Sequence, residues 1–158
     1  MKVHLVRHAA AGHRSGFDGP DVDRPLTGKG RSQARGIAAT LADAGVTDLI
    51  SSPYVRCVQT FDPAAEMLGL EVVTDRRLAE GAGGAAALDL AAELAADGHG
   101  GSVALCSHGD IIPEMLHLLR CEGTRFKEPL QWPKGSTWVL TGDGHVWAKA
   151  RYLPPPST

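Results

Sequence analysis

The sequence predicts a three-layer α/β/α fold with a mostly parallel central sheet. Two observations predict it. Short apolar runs of strand length alternate with segments of helical periodicity along the whole chain, and no internal repeat interrupts this order. The length of 158 residues suits one domain with a core of ordinary size. We expect a single domain over residues 1–153 and a disordered tail over 154–158, where consecutive prolines prevent a regular strand or helix.

The expected elements follow one another in the order of β-α-β units. They are a strand at 2–7, a loop at 9–26, a helix at 27–44, a strand at 46–50, a helix from 52 to about 69, a strand at 70–74, a helix at 82–96, a turn at 98–101, a strand at 103–106, a helix from 110 to about 120, and a hairpin around 141–144 at the sheet edge. The first loop is long for a compact domain, and such loops are more often functional than average.

Helix boundaries are predicted from capping residues. Thr27, Ser52 and Asp110 carry side-chain oxygens that can accept a hydrogen bond from a first-turn N–H group. Pro53 suits the first helical position, where no backbone N–H group is needed. Gly45 suits the residue after a helix end, because glycine adopts a left-handed backbone without strain.

Composition excludes several function classes. The 16 basic and 18 acidic residues nearly cancel, so we expect neither a nucleic-acid polymer nor a membrane surface as partner. Arginine outnumbers lysine by 11 to 5, which suits a small anionic ligand, although codon usage gives the same bias. The three cysteines have no metal-binding or disulfide spacing, and the first residues are too polar for a signal peptide. We therefore expect reduced thiols in a cytoplasmic protein.

Polar side chains follow the predicted strands at the edge where ligands bind in open α/β sheets. They are Arg7, His8, Arg56, Glu80 and His108. Each alone has an ordinary structural explanation, because a lone histidine at a strand end is usually only hydrogen-bonded. Two arginines and two histidines on one rim would repel each other unless an anion lay among them. Phosphate is the anion that suits two guanidinium groups.

Other phosphate chemistries are not supported by the sequence. A cysteine phosphatase needs an arginine at a fixed spacing after its nucleophile, and none of the three cysteines has one. The glycine-rich phosphate-binding loop that ends in Lys-Ser or Lys-Thr is also absent. Residues 21–23, Asp-Val-Asp, look like an aspartyl nucleophile pair, but their Gly/Pro-rich surroundings favour a solvated turn.

Four motifs resemble the histidine phosphatase superfamily, also called phosphoglycerate-mutase-like proteins. Residues 5–9, LVRHA, are similar to its opening Arg-His signature, with alanine in place of the usual glycine after the histidine. Residues 24–30 look like the segment that leads into its first helix, 51–60 like its second arginine motif, and 107–109 like its second histidine motif. The resemblance implies the histidine phosphatase (phosphoglycerate-mutase-like) fold.

The resemblance also implies a mechanism without metal or cofactor. His8 would attack phosphorus and become phosphohistidine, and water would then release phosphate. Arg7, Arg56 and His108 would stabilise charge on the transferring oxygens. Glu80 matches the family's acid and base by its position. The predicted substrate contacts in the loop after His8 are Arg14 and Ser15.

Two substrate classes stay open, one a phosphoprotein and the other a phosphorylated small molecule. Only 27 residues separate Glu80 from His108, so a lid is short or absent and an open site favours large substrates. The size resembles short phosphohistidine phosphatases. Residues 48–56 and 134–140 look more like the histidine phosphatase domain found behind some Nudix hydrolase domains, which implies a nucleotide or dinucleotide phosphate.

Two other functions compete with this interpretation. A non-catalytic module that binds a phosphate ligand would need the arginines but not both His8 and His108. A metal-dependent hydrolase would use His8, His13, His108 and Asp110, whose spacing matches no known ligand pattern.

Overall fold

A computed structural model describes residues 1–97 and 101–158, so most of the turn predicted at 98–101 lies outside the described residues. The strands are β1 (Lys2–Arg7), β2 (Val46–Ser51), β3 (Val72–Thr74), β4 (Ser102–Ser107), β5 (Arg125–Phe126), β6 (Thr137–Gly142) and β7 (Trp147–Leu153). The helices are α1 (Gly28–Asp43), α2 (Val55–Leu68), α3 (Gly84–Ala96) and α4 (Ile111–Cys121). The described helices include none long and apolar enough to cross a membrane.

The strands form one sheet in the order β3-β2-β4-β1-β6-β7-β5. The first four in this order run parallel, β6 is antiparallel to β1, and β7 is antiparallel to β6. The predicted hairpin is confirmed, but its position at the edge is wrong, because the two-residue strand β5 pairs outside β7. A strand so short has no alternation of apolar and polar residues that a sequence pattern could reveal.

Helices cover both faces of the sheet, as the three-layer prediction requires. Alternate residues of β1 divide between two cores: Val3 and Leu5 pack with α3 and α4, whereas Val6 packs with α1 and α2. Residues of β4 divide in the same way. Because side chains alternate across a strand, a strand that is buried on both faces reads as a continuous apolar run. The α/β/α prediction is therefore confirmed.

Two predicted side-chain caps are wrong. The helix expected from Ser52 begins at Val55, and Tyr54 is its N-cap residue. Asp110 is the N-cap residue of α4, as predicted, but its side chain accepts a hydrogen bond from the Gly81 N–H group at 2.8 Å and not from the first turn of α4. The cap at Thr27 is confirmed, because its hydroxyl accepts from the Gly30 N–H group at 3.1 Å. Asp110 lines the cavity described below, and the Ser52 hydroxyl contacts His108, which also lines it. Tertiary contacts therefore involve the side-chain oxygens that were expected to cap these helices.

The C-terminal residues lie beside α1. Pro155 and Pro156 are half-buried, and a Cβ atom on Gly36 would come within 2.4 Å of Pro156 Cβ. The absence of a side chain at Gly36 therefore makes room for the chain that follows β7. The tail makes this contact although its prolines exclude a strand or a helix.

Candidate active site

The parallel strands bring the predicted site residues to one cavity. Arg7 at the end of β1 pairs in register with Ser107 at the end of β4. His8 directly follows β1 and His108 directly follows β4, and their ring centroids lie 5.5 Å apart. The cavity measures about 540 Å³. It is lined by Arg7, His8, Gly12, His13, Arg14, Arg24, Arg56, Glu80, His108, Gly109, Asp110, Trp132 and Lys134.

His8 is held as a neutral imidazole. Its Nδ1 lies 2.8 Å from the Ala9 carbonyl oxygen, which can only accept, so Nδ1 carries the hydrogen and Nε2 carries the lone pair. Only 4% of the residue is exposed. Burial is the main cause that lowers the pKa of His8 to about 3, and the positive charges nearby lower it further. The geometry therefore presents an unprotonated nitrogen at neutral pH.

Acidification is expected to destabilise the fold through His8. Unfolded, the imidazole has a pKa of 6.5, whereas the folded protein resists its protonation down to about pH 3. Above pH 6.5 His8 is neutral in both states and does not change the free energy of unfolding. As the pH falls from 6.5 towards 3, the unfolded state binds the proton and the folded state does not, so the free energy of unfolding decreases. Between about pH 7 and pH 4 we expect a loss of roughly 3 kcal/mol from this group.

Urea unfolding of wild type and His8→Gln at both pH values measures this loss. The variant lacks the titrating group, so its free energy of unfolding should fall less with acid. Equal losses in the two proteins would show that His8 is not the group responsible.

Arg7 is fixed against the backbone of two loops. Its Nη1 donates to the Trp132 carbonyl oxygen at 2.8 Å, whereas its Nε is buried without a hydrogen-bond partner in the described part of the chain. Burial lowers the pKa of Arg7, and the charge of Arg56 lowers it further. The guanidinium packs directly over Gly109, where a Cβ atom would lie 2.6 Å from Nη2. Gly109 therefore leaves the space that the Arg7 side chain occupies.

Gly109→Ala is expected to displace the Arg7 guanidinium and to lower kcat/KM for phosphate release by about 10- to 100-fold, because small misplacements of a charge-stabilising group are costly. The free energy of unfolding should change much less. Gly28→Ala is the control, since nothing lies within 4 Å of the Cβ position at Gly28. Unchanged activity in Gly109→Ala would contradict the role of this contact.

Arg56 lies in the first turn of α2 and is 1% exposed. Its Nη1 donates to the Asp21 carbonyl oxygen at 3.0 Å. Its Nη2 donates to Asp21 Oδ2 at 3.2 Å and to Glu80 Oε2 at 3.1 Å. The guanidinium also lies over the Tyr54 ring, 4.8 Å from its centroid. Carboxylates therefore satisfy the charge of Arg56 where the sequence predicted phosphate.

Glu80 lies beside the predicted arginines. Its Oε1 accepts from Arg14 Nη2 at 2.9 Å, while its other oxygen accepts from Arg56. Arg14 lines the cavity and is mostly exposed. Ser15 lies exposed in the same short 3-10 turn, but it is not among the residues that line the cavity. The structure thus brings Glu80 and Arg14 together and leaves Ser15 outside the cavity.

His108 is positioned by two residues of the loop before α2. Its Nε2 lies 2.8 Å from the Ser52 hydroxyl, and its ring contacts the Tyr54 ring at a centroid distance of 4.7 Å. Its Nδ1 is buried without a partner in residues 1–97 and 101–158. Ser52 therefore orients a ring nitrogen of the second histidine.

Arg24, which lines the cavity, and its ion-pair partner Asp21 were given no site role from the sequence. Arg24 is buried, and it donates to Asp21 Oδ1 at 2.9 Å and to the Gly12 carbonyl oxygen. Asp21 also pairs with Arg56, so the solvated turn expected at 21–23 is wrong for this residue. Burial raises the pKa of Asp21, but the Arg24 hydrogen bond and the Arg56 charge outweigh it and the net shift is downward. The long loop thus contributes Arg24 to the cavity wall, while Asp21 of the same loop pairs with both Arg24 and Arg56.

Lys134 and Trp132 complete the other side of the cavity. Both precede β6, and neither was predicted from the sequence as a site residue. Burial lowers the pKa of Lys134, and the charges of Arg7, Arg24 and Arg56 lower it further. Lys134 makes no ion pair within the described ranges. Lys134 therefore lines the cavity as a cation that no carboxylate of the described residues neutralises.

Metal ligation was the alternative for some of these histidines. Within residues 1–97 and 101–158, no group of three or more His, Cys, Asp or Glu side chains is arranged to hold a metal ion. His8 and His108 each use one ring nitrogen in a hydrogen bond within the protein.

A comparison with protein families decides the family. The model of the histidine phosphatase superfamily (branch 1) matches residues 3–88, which include the Arg7-His8 pair and Arg56. The chain belongs to the histidine phosphatase superfamily. Among structures of this superfamily's fold, the protein histidine phosphatase SixA complexed with tungstate has a TM-score of 0.78 at 20% identity, covering 99% of this chain and 97% of that one. This likeness concerns the fold.

Curated relatives of this histidine phosphatase superfamily member are longer proteins. It is 38% identical over 159 aligned positions to an 8-oxo-(d)GTP phosphatase of Mycolicibacterium smegmatis, covering 98% of this chain and 48% of the relative. It is also 38% identical over 85 positions to a probable phosphoglycerate mutase GpmB of Serratia proteamaculans, covering 51% of this chain and 38% of the relative. The chain therefore spans about half or less of the length of these relatives.

Proposed function

We propose that the protein is a metal-independent phosphatase that works through a phosphohistidine on His8. The observation that carries the proposal is the neutral His8 ring. Its Nδ1–H donates to Ala9, so the Nε2 lone pair is available beside Arg7, Arg56 and His108. A binding module would need the cations but not a nitrogen prepared as a nucleophile.

The reaction has two balanced steps. In the first, His8 Nε2 forms a bond to phosphorus, and the bond between phosphorus and the leaving oxygen breaks with its electron pair going to that oxygen. Glu80 supplies the proton that the leaving oxygen takes up. In the second, water attacks phosphorus, Glu80 removes a proton from it, and the phosphorus–nitrogen electron pair returns to His8. Inorganic phosphate is released.

Cationic groups would stabilise the charge that develops on the transferring oxygens. Arg7 and Arg56 line the same cavity as the two histidines, and both carry a buried Nε without a partner in the described residues. A phosphate group that entered the cavity would replace carboxylate oxygens at Arg56 and would supply acceptors for these donors. Arg14 donates to Glu80, and it would contact the substrate if Glu80 moved towards it.

For the substrate, the cavity favours a nucleotide with two or more phosphate groups over a phosphohistidine protein. Lys134 and Arg24 add positive charge beyond the arginines that a single phosphate needs, and Trp132 offers an aromatic surface at the mouth. A phosphorylated histidine carries one phosphate group only. The identity to the 8-oxo-(d)GTP phosphatase along nearly the whole chain supports the same choice.

Phosphate release from a panel of substrates, measured with a chelator present, tests the proposal. The panel holds a phosphohistidine protein, nucleoside di- and triphosphates, dinucleoside polyphosphates and 4-nitrophenyl phosphate. We expect release that survives chelation and is fastest for a nucleotide. Loss of release on chelation would favour a metal-dependent hydrolase, and binding without release would favour the module.

Lys134→Gln is expected to raise KM for a nucleoside diphosphate by about 10-fold, because one charge-assisted contact to the second phosphate is lost. KM for 4-nitrophenyl phosphate should change little. Lys29→Gln removes the same charge outside the cavity and serves as the control. Equal effects on both substrates would place Lys134 at the transferred phosphate and would contradict a second phosphate subsite.

A further inference from the structure

A second cavity lies at the opposite ends of the strands from the candidate active site. It measures about 680 Å³ and includes Lys2 and His4 of β1, whereas Arg7 and His8 lie at the far end of the same strand. One wall is the last turn of α1, with Thr40 and Asp43. We call this cavity the basic groove. It is distinct from the catalytic cavity, and no residue lines both.

The floor of the basic groove is a regular set of cross-strand neighbours. His4 of β1 pairs in register with Val139 of β6, which pairs with Arg151 of β7. Two residues earlier on β1, Lys2 pairs with Thr141, which pairs with Lys149. Directly paired residues point to the same face of a sheet, with Cβ atoms about 5 Å apart. Helix α1 packs beside this face over β1 and β2, while Lys149 and Arg151 stay exposed.

The charge of the basic groove is strongly one-sided. Its lining has four cations, Lys2, Lys127, Lys149 and Arg151, and one carboxylate, Asp43. None of the four cations makes an ion pair with any described residue. The C-terminal end of α1 adds a partial negative charge at one wall, which is small beside four full positive charges. An almost neutral protein thus concentrates unpaired cations in one concave place.

A buried polar group also belongs to this lining. His4 is 3% exposed, and its Nδ1 has no hydrogen-bond partner in the described ranges. Burial lowers the pKa of His4, against the effect of a hydrogen bond at the Val103 backbone, so the imidazole is neutral at pH 7. Buried polar atoms are almost always hydrogen-bonded in native proteins, and an exception needs an explanation such as a ligand.

We propose that the basic groove binds a small polyanion that carries two or more phosphate or carboxylate groups. The cations stand on neighbouring strands, so a ligand with anionic groups at several points can contact them together. The volume is within the range of about 300–1,000 Å³ that small-molecule sites have. A polypeptide partner would need roughly 800 Å² of contact on this side with an apolar centre, whereas the middle of this floor is His4, Val139 and Thr141.

Residue-resolved NMR titration of the full chain with inorganic tripolyphosphate and with citrate tests the proposal. We expect amide shifts at Lys2, Val139, Thr141 and Lys149 that saturate with either probe. Lys149→Gln combined with Arg151→Gln should weaken binding by about 10-fold or more. Arg35→Gln combined with Arg76→Gln removes two exposed charges outside both cavities and should leave binding unchanged.

Three results would overturn the proposal. They are shifts confined to residues of the catalytic cavity, equal weakening in both double variants, and saturation by an acidic peptide but by neither small probe. The third would identify a polypeptide partner instead. Phosphate release by Lys149→Gln combined with Arg151→Gln should equal that of wild type, which shows that the variant is folded and separates this proposal from the phosphatase proposal.

Discussion

His8→Ala is expected to lower phosphate release by at least about a thousand-fold, because the variant lacks the nitrogen that would accept the phosphoryl group and water has no covalent route to replace it. The buried cations should still bind the substrate, so its dissociation constant should change far less than kcat. Rapid-quench measurement of phosphate release with and without chelator gives kcat, and calorimetric titration of His8→Ala with the preferred substrate gives the dissociation constant.

A matched control is available in His145→Ala, because His145 is exposed and lies far along the chain in the turn between β6 and β7. Intact mass spectrometry after acid-free quenching should show wild type, but not His8→Ala, carrying one phosphoryl group. If His8→Ala turned over as fast as wild type, another group would be the nucleophile. If neither protein released phosphate but both bound the nucleotide, the chain would be a binding module.

The sequence predicts where the candidate site residues meet, because their meeting point follows from strand order. Each parallel strand ends at the same sheet edge, so polar residues directly after apolar runs, such as His8 and His108, must meet there. Arg56 joins them because side chains in a first helical turn point back towards the preceding strand. These placements depend on local patterns that extend over a few residues each.

Other parts of the cavity depend on tertiary contacts that no local pattern shows. Asp21 and Arg24 lie in a loop without periodicity, and Asp21 forms an ion pair both with Arg24 nearby and with Arg56, which is far along the chain. Lys134 reaches the cavity only because β6 pairs with β1, which brings the segment before β6 beside the end of β1. Ser52 shows the same limit, because its hydroxyl lies 2.8 Å from His108 Nε2, a contact between residues far apart in the chain, in addition to accepting from the Tyr54 N–H group.

Asp21 and Glu80 explain how the folded protein tolerates several arginines in and around the cavity. Buried arginines need partners, since an unpaired buried charge is strongly destabilising. Asp21 and Glu80 both accept from Arg56, and Asp21 also accepts from Arg24. A phosphate group that enters must compete with these carboxylates, which favours ligands of higher charge. Displacement of Glu80 from Arg56 would also place a carboxylate beside the substrate, where it can take part in proton transfer.

Glu80→Gln is expected to lower kcat/KM by about 100- to 10,000-fold for a nucleotide or an alkyl phosphate, whose leaving oxygen needs a proton. The effect on kcat/KM for 4-nitrophenyl phosphate should be much smaller, because 4-nitrophenolate leaves without one. Glutamine retains the size and one acceptor oxygen for Arg14 and Arg56, so the variant keeps the shape of the cavity but cannot donate or accept the proton.

The dependence on the leaving group separates proton transfer from a purely electrostatic role of Glu80. If Glu80 only held Arg14 and Arg56 in place, Glu80→Gln would slow every substrate by the same factor, since the arginines contact the transferred phosphate in each case. If Glu80 is the acid and base, Glu80→Gln should keep a fast first step with 4-nitrophenyl phosphate, whose leaving group needs no proton. Its second step should be slow, because no base activates the water. A rapid release of 4-nitrophenolate equal to one enzyme equivalent, followed by slow turnover, is therefore the expected result, with Glu71→Gln, an exposed carboxylate outside the cavity, behaving as wild type.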